Sequence, residues 1–539
     1  MENPGVKSPL KDRQALTPLK PIHAPTGKEL SCKGWHQEAA LRMLMNSLDP
    51  AVTECREELI TCGGTGRVAR DWPSFYALVE ALEKLENEES LLVRSGKPMG
   101  VFRTHRDAAR VLIVDWNQAE APELAPYRCT AVRSWTHIGA QDALLTAYQT
   151  LVAAARKHWG GDLAGKLVVS GGMGRTGGAM ALAATLNGAA FLGIELRQES
   201  ITRCIRAGFC DYCVTQLDEA LRILKIAIRK RQPVSVGLVG NCAEIIPELL
   251  RRGVLPDLLT DQTGAYDPLQ GYIPAELGIG EAERLRSENP EDYVNRAYQS
   301  IAQQVMAMLE LQRMGAVTFD FGNNLRAAAF QAGVMDAFEI PDFMSEYIRP
   351  LVCGGRSPLR WTALSGDPTD IRHVDDLLLK LFPEDEDLCH WIQLARNHIK
   401  LQGLPARAAW LSREQRIQLG EEIHSTAERG GLVAPLVLAR DLMDGGFPAA
   451  PGWETELMGD GREATTDWPF LDALLHAASG ASWVALQGAN GSNGGLLLHS
   501  TYAIVADCHP ETRPRLQRVL ANDLDLVFLQ HRETVHRAQ

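Results

Sequence analysis

Residues 170–180 read SGGMGRTGGAM, and the spacing G-x-G-x-x-G of Gly172, Gly174 and Gly177 in this stretch decides the fold. A short apolar run, KLVVSG, comes before it, and a run of small residues with helical spacing follows. Glycines at these positions let the backbone approach a pyrophosphate, and the free N–H groups at the start of the helix bind it. The stretch therefore predicts a strand, a phosphate-binding turn and a helix.

The same alternation continues on both sides of the turn. Between about residues 140 and 265, helical patterns such as DALLTAYQTLVAAARKHW alternate with short apolar runs such as AAFLGIEL and VSVGLVGN. Strands that alternate with helices indicate βαβ units and a parallel sheet, so we expect an α/β fold with a Rossmann-type domain.

Glu195 ends the strand that follows the glycine turn. A carboxylate in this position accepts hydrogen bonds from both ribose hydroxyls and repels a 2′-phosphate, which favours NAD+ over NADP+. The alternative is a tight turn without a ligand, with Glu195 exposed to solvent. The usual proton relay of a dehydrogenase, a His–Asp pair or Tyr-x-x-x-Lys, is not evident after this domain, so hydride transfer has no support beyond the turn.

Composition limits the class of protein. The chain has 539 residues, a net charge of -12 and 45% hydrophobic residues, which is typical of a soluble protein with several domains. The negative charge argues against nucleic acid or an anionic membrane as a partner. We find neither a membrane-length apolar run nor a signal peptide, and expect a cytoplasmic protein. The C-x-x-C pair Cys210 and Cys213 lacks two further ligands nearby, so no metal site is predicted.

Several long stretches resemble the urocanase (urocanate hydratase) family. They include residues 234–278, from VSVGLVGNCAEIIPELL to GYIPAELG, together with SGKPMGVFRTH, TFDFGNNLR, RWTALSGD and LQGLPAR. The likeness extends over nearly the whole chain after residue 24. It implies a Rossmann-type NAD-binding domain at 139–347, inserted into a mixed α/β core domain formed by 28–138 and 348–539. Residues 1–27 are rich in Pro and Lys and lack an apolar period, so we expect an extended or disordered arm there. The resemblance also implies a homodimer.

The chemistry implied by this resemblance is a hydration without net redox change. Urocanases bind NAD+ tightly and use it as an electrophile: the imidazole ring of the substrate attacks it and forms a transient covalent adduct. Water then adds to the activated imidazole-acrylate, and the product is an imidazolone-propionate. A cofactor used in this way explains a dinucleotide site without a dehydrogenase relay.

The resemblance also assigns cofactor contacts by position. They fall on Gly63, Gly174, Arg175, Thr176, Gly177, Glu195, Asn241, Cys242, Gln262, Thr263, Gly264, Ala265, Tyr266, Tyr272, Ile273, Phe321 and Gly491. Arg175 and Thr176 stand where the family has Gly and Met.

Four acidic or basic positions resemble the catalytic machinery of the family. Asp441 and Asp444 lie at i and i+3 in ARDLMDGG, and one of them matches the acid/base residue, although the spacing does not say which. Arg360 matches an arginine that binds the substrate carboxylate, a task suited to the bidentate guanidinium. His105 has a weaker claim to a catalytic role, and a structural histidine is the alternative.

The chain departs from the family pattern around the expected substrate. Ala409 stands where the family has its active-site Cys, and Trp453 where it has a second carboxylate-binding Arg. The predicted substrate-binding residues are Arg360, Trp453, Ala409, Arg133, Cys62 and Tyr266. Arg133 lies in a shortened loop and is a candidate replacement for the lost cation. A larger, less polar pocket favours a ring-substituted urocanate, as in thiourocanate and S-methyl thiourocanate hydratases. Ordinary urocanate and a catalytically silent NAD-binding paralogue are the alternatives.

Overall fold

The computed structural model describes residues 21–53, 60, 68–117, 134–139, 141–441, 468–490 and 496–537. The strands are β1 Glu89–Arg94, β2 Lys97–Arg103, β3 Val111–Asn117, β4 Leu167–Gly171, β5 Ala190–Glu195, β6 Tyr212–Val214, β7 Val234–Val239, β8 Leu258–Asp261, β9 Val317–Thr318, β10 Arg356–Ala363, β11 Ala406–Ser412, β12 Leu436–Arg440, β13 Trp483–Asn490 and β14 Leu496–Ala506. The α-helices are α1 Trp35–Asn46, α2 Trp72–Lys84, α3 Gln141–Trp159, α4 Arg175–Leu186, α5 Gln198–Ala207, α6 Leu217–Lys230, α7 Cys242–Arg251, α8 Ile279–Glu288, α9 Pro290–Arg313, α10 Leu325–Gln331, α11 Arg349–Cys353, α12 Pro368–Leu381, α13 Glu386–His398, α14 Arg413–Glu428, α15 Trp468–Ser479 and α16 Thr512–Arg537.

The middle of the chain forms a parallel sheet with the order β6-β7-β5-β4-β8-β9. Strand β4 is buried along its whole length, as expected for a parallel strand covered by helices on both faces. The chain runs outward from β4 through β5 in one direction and continues through β8 in the other. This reversal places a crevice outside the carboxyl ends of β4 and β8, where ligands bind in doubly wound sheets. The predicted α/β fold with a Rossmann-like region is confirmed.

The two ends of the chain share a second sheet. Among the described residues its order is β11-β10-β12-β14-β13-β3-β1-β2. Strands from residues 89–117 lie beside strands from residues 356–506, so the parallel sheet is an insertion in the sequence of this mixed sheet. In the described part of the chain, no helix combines the length and apolar character that crossing a bilayer requires.

Helix α3 joins the two sheets. It packs against α4 of the parallel sheet and against β11 of the mixed sheet. At its start, Gln141 donates a 2.9 Å hydrogen bond to the carbonyl of Ala406, and in its middle the Tyr148 ring lies 4.7 Å from that of Trp391. The apolar face of one helix therefore serves both layers, and the two sheets share one continuous core.

A buried cluster of charges holds the helices against the mixed sheet. Asp523 of α16 accepts hydrogen bonds from Arg416 and, at 2.6 Å, from Arg440 at the end of β12. His476 lies 3.0 Å from Asp472 and 3.3 Å from Asp523. Burial opposes the charged forms, but the two arginines lower the pKa of Asp523, and the two carboxylates raise the pKa of His476. The oxygens and nitrogen of Asp472, His476 and Asp523 lie close enough to hold a metal ion, yet the arginines already supply the positive charge.

The raised pKa of His476 predicts how stability depends on pH. The protonated imidazolium stabilises the fold fully below its ordinary pKa of 6.5, and this contribution is lost as the pH rises through the raised value in the folded protein. We expect the free energy of unfolding, measured by urea titration between pH 6 and 9, to fall more steeply for the wild type than for His476→Gln. Parallel curves for the two proteins would contradict a raised pKa of His476 in the folded protein.

Candidate functional site

The carboxyl edge of the parallel sheet gathers most of the predicted cofactor residues. Gly174 lies in the turn after β4, Glu195 ends β5, Asn241 follows β7 and Gln262 follows β8. Because the carboxyl ends of parallel strands meet at one edge, the structure brings these predicted residues to the same crevice. Cys242 begins α7 directly after Asn241. The loop after β8 carries the other predicted cofactor residues of this edge, Thr263, Gly264, Ala265, Tyr266, Tyr272 and Ile273.

The glycine turn has the geometry that its spacing predicts. Gly172 has φ +75°, and a Cβ on it would lie 2.6 Å from the carbonyl oxygen of Gln262. A Cβ on Gly177 would overlap the carbonyl oxygen of Gly172, so α4 can approach the residue after β4 this closely only because residue 177 is glycine. Around Gly174, in contrast, a Cβ would meet no described atom within 4 Å. Gly174 also begins α4 without a side-chain cap, which leaves the helix N-terminus for a ligand.

Glu195 braces this turn. Its Oε2 accepts a 2.9 Å hydrogen bond from the N–H of Met173, and its Oε1 accepts one of 2.9 Å from the N–H of Arg197. Each carboxylate oxygen can accept more than one hydrogen bond, so these contacts are compatible with ribose hydroxyls as additional donors. The spacing in the sequence predicted the position of Glu195 but not its hydrogen bond to the N–H of Met173 in the glycine turn.

Asn241 joins two of the loops at this edge. Its Oδ1 accepts from the N–H of Ala243 and caps α7, while its Nδ2 donates to the carbonyls of Ile273 at 3.0 Å and Pro274 at 3.2 Å. This fixes the loop that carries the buried Tyr272 beside the start of α7.

Asp261, which the sequence analysis missed, lies fully buried beneath the crevice at the end of β8. It accepts hydrogen bonds from the N–H of Thr263 at 2.9 Å, from Gln304 at 2.6 Å and from Asn323 at 2.5 Å. Burial raises the pKa of Asp261 to about 6, against the effect of these donors. The carboxylate thereby fixes Thr263, a predicted cofactor contact. The signal in the sequence was an acidic residue closing an apolar strand, LLTD.

Gln262 provides a test of whether a dinucleotide fits this crevice. Both polar atoms of its side chain, Nε2 and Oε1, are buried and have no hydrogen-bond partner among the described residues. An unpaired buried amide costs roughly 1–3 kcal/mol, so a polar ligand that pairs with it is favoured. Together with the uncapped helix N-terminus at Gly174, this residue fits a ligand with phosphate and polar ring substituents.

A second cluster lies at the mixed sheet and unites two predicted site residues. Asp441 follows β12 and Arg360 lies in the adjacent β10; both are buried. The Oδ2 of Asp441 accepts from the hydroxyl of Ser134 at 2.9 Å and from that of Thr136 at 3.0 Å. The carbonyl of Thr136 accepts a 2.6 Å hydrogen bond from Arg360. The sequence analysis did not foresee Ser134 or Thr136.

Ala409 and His105 lie away from this cluster. Ala409 is fully buried and pairs with Leu359, whereas its neighbour Ala408 pairs with Arg360, so Ala409 and Arg360 point to opposite faces of the sheet. His105 is exposed, and its carbonyl accepts a 2.6 Å hydrogen bond from Arg110 just before β3. Strand β3, which follows His105, is four strands away from β10, the strand that carries Arg360. At the usual strand spacing, the two strands are roughly 19 Å apart.

The remaining predicted residues divide into two groups. The ring of Phe321 stacks on Phe343 at 4.3 Å within the core. Outside the described residues lie Cys62, Gly63, Arg133, Asp444, Trp453 and Gly491, and the same holds for the side chains of Arg175 and Thr176.

Three family models match the chain. Residues 22–123 match the urocanase N-terminal domain, residues 139–347 the urocanase Rossmann-like domain, and residues 350–538 the urocanase C-terminal domain. Together these ranges cover most of the chain, including the predicted cofactor residues at the parallel sheet, Arg360 and Asp441, whereas Ser134 and Thr136 lie between the first two ranges.

The glycine turn yields a prediction with an internal control. We expect Gly177→Ala to lower the midpoint of thermal unfolding by several degrees, because the new Cβ overlaps the Gly172 carbonyl. For Gly174→Ala, a Cβ meets no described atom within 4 Å and φ is -66°, so in protein freed of dinucleotide its midpoint should stay within about 1 °C of the wild type. Equal midpoints for both variants would show that the close approach at Gly177 does not constrain the fold.

Proposed function

Because the chain belongs to the urocanase family, whose members are hydro-lyases, we propose that it adds water to a urocanate-type substrate, an imidazole ring conjugated to an acrylate. The match to all three family domains is the observation that carries this proposal. NAD+ is the proposed cofactor, bound tightly, and it is supported by the uncapped N-terminus of α4 and the unpaired amide of Gln262.

When bound, NAD+ would supply an electrophile for the electron-rich imidazole ring, with no net redox change over the cycle. The protein binds and orients it. The N–H groups that follow Gly174 would bind the pyrophosphate, Glu195 would accept hydrogen bonds from the ribose hydroxyls, and the Gln262 amide would pair with a polar group of the cofactor.

The second cluster carries the proposed proton transfer and substrate binding. Arg360 binds the substrate carboxylate with its guanidinium, and Asp441 accepts a proton from the attacking water and returns it later. The hydroxyls of Ser134 and Thr136 both donate to Oδ2 and thereby orient this carboxylate. Asp444 stays the alternative acid/base residue.

We propose a ring-substituted substrate, with S-methyl thiourocanate favoured and the corresponding imidazolone-propionate as product. Support comes from Trp453, which replaces an arginine of the family with a large apolar side chain. Ala409 replaces the cysteine of the family but points to the face opposite Arg360, so it carries less of this argument. Arg133 is proposed to supply the missing cation. Ordinary urocanate is the alternative substrate, and the homodimer and the cytoplasmic location are further proposals.

The direct test of this function uses the purified protein without added NAD+. We expect the acrylate absorbance of S-methyl thiourocanate to disappear, that of urocanate to change much more slowly, and no NADH absorbance to develop. Acid denaturation should release about one NAD+ per chain. Preferential consumption of urocanate would replace the proposed substrate. A protein without bound dinucleotide would contradict the proposed cofactor.

A pair of variants tests the specificity. Trp453→Arg restores the cation of the family, and we expect it to raise kcat/KM for urocanate relative to S-methyl thiourocanate by about tenfold or more. Ala409→Cys is the comparison: its side chain points to the face opposite Arg360, so it should change that ratio less. A larger effect of Ala409→Cys than of Trp453→Arg would contradict this ordering.

A further inference from the structure

The segment Ser134–Trp135–Thr136 has an unusual backbone. Trp135 has φ +58°, in the left-handed region that non-glycine residues rarely occupy, and its side chain is fully buried. Such a conformation costs free energy and persists only where the surroundings enforce it. Here, the indole N–H of Trp135 donates to the carbonyl of Val68 at 3.2 Å, and Trp483 donates to the carbonyl of Ser134 at 2.9 Å.

The strained residue brings its two neighbours to one atom. Ser134 and Thr136 flank Trp135, and both hydroxyls donate to the same oxygen, Oδ2 of Asp441. All three residues of this hydrogen-bonded unit are completely buried. In buried surroundings, two donors on one carboxylate oxygen restrict its rotation and leave the direction of Oδ1 defined.

The main chain of the same segment engages the other predicted site residue. The carbonyl of Thr136 accepts a 2.6 Å hydrogen bond from Nη1 of Arg360. Thr136 thus contacts the carboxylate through its side chain and the guanidinium through its backbone. Arg360 lies in β10 and Asp441 follows β12, and Thr136 is separated from each of them by more than 200 residues in sequence.

We infer that Thr136 is a positioning residue, which orients the Asp441 carboxylate for proton transfer and sets it at a fixed distance from Arg360. The inference rests on the proposed function, because it needs Asp441 as the acid/base residue and Arg360 as the residue that binds the substrate carboxylate. It separates two effects within one residue: the hydroxyl serves the chemical step, and the carbonyl serves substrate binding.

This division predicts a split between kcat and KM. Thr136→Val keeps the shape of the side chain and the carbonyl but removes the hydroxyl. We expect kcat for the substrate that the wild type consumes to fall roughly 10- to 100-fold, as for other losses of orientation, with KM within about twofold of the wild type. Thr136→Ser keeps the hydroxyl and should retain kcat within about threefold.

Ser134→Ala removes the second donor and is an independent variant if Thr136→Val does not fold. It should also lower kcat at nearly constant KM. The NAD+ released by denaturation is measured for each protein and should match the wild type, because the cofactor contacts proposed among the described residues lie at the parallel sheet.

The outcomes separate the two proposals. If the wild type is active and Thr136→Val keeps its kcat, or if Thr136→Ser is as impaired as Thr136→Val, the inference is overturned while the proposed function stands. If kcat falls and KM rises by similar factors in both variants, Thr136 has only a structural role and the inference is again overturned. A wild type that consumes none of the urocanates overturns the proposed function and, with it, this inference.

Discussion

The carboxylate of Asp523 is completely buried, and the geometry of the mixed sheet depends on the partners that compensate the charge of this carboxylate. Charges removed from water are stable in a protein only when partners of opposite sign and good geometry surround them. Arg416 comes from α14, Arg440 from the end of β12 and His476 from α15, so three elements must meet at the carboxylate of α16. Asp441 is the next residue after Arg440. The ion pairs that fix Arg440 at the end of β12 therefore also fix the backbone position of Asp441, the proposed acid/base residue.

The parallel sheet depends on a different constraint, which is steric. Gly172 and Gly177 approach so closely that a side chain on Gly177 would overlap the Gly172 carbonyl, and this contact closes the turn at the start of α4. Beneath the turn, Asp261 binds the loop that carries Thr263. The proposed cofactor site is thus built from backbone geometry and one buried carboxylate, whereas the proposed proton-transfer site is built from side chains at the mixed sheet.

The parts that could be predicted from the sequence are those with a local signal. The alternation of helices and strands, the glycine turn and the place of Glu195 after the next strand are properties of short segments, and the structure has each of them. Family resemblance added Arg360 and Asp441, which do lie together. The same resemblance offered Ala409 and His105, yet Ala409 points to the face of the sheet opposite Arg360, and His105 is exposed in the loop between β2 and β3.

The sequence by itself determined the fold class and the family, because hydrophobic periodicity, glycine spacing and the long stretches that resemble the family are all properties of residues that are neighbours along the chain. Only the tertiary structure decided which polar groups meet. Thr136 donates to Asp441, which is 305 residues away in sequence, beside the strained backbone of Trp135. Gln304 donates to Asp261, which is 43 residues away. Such contacts leave no period in the sequence, since they depend on how distant strands and helices pack rather than on the local preferences of the backbone.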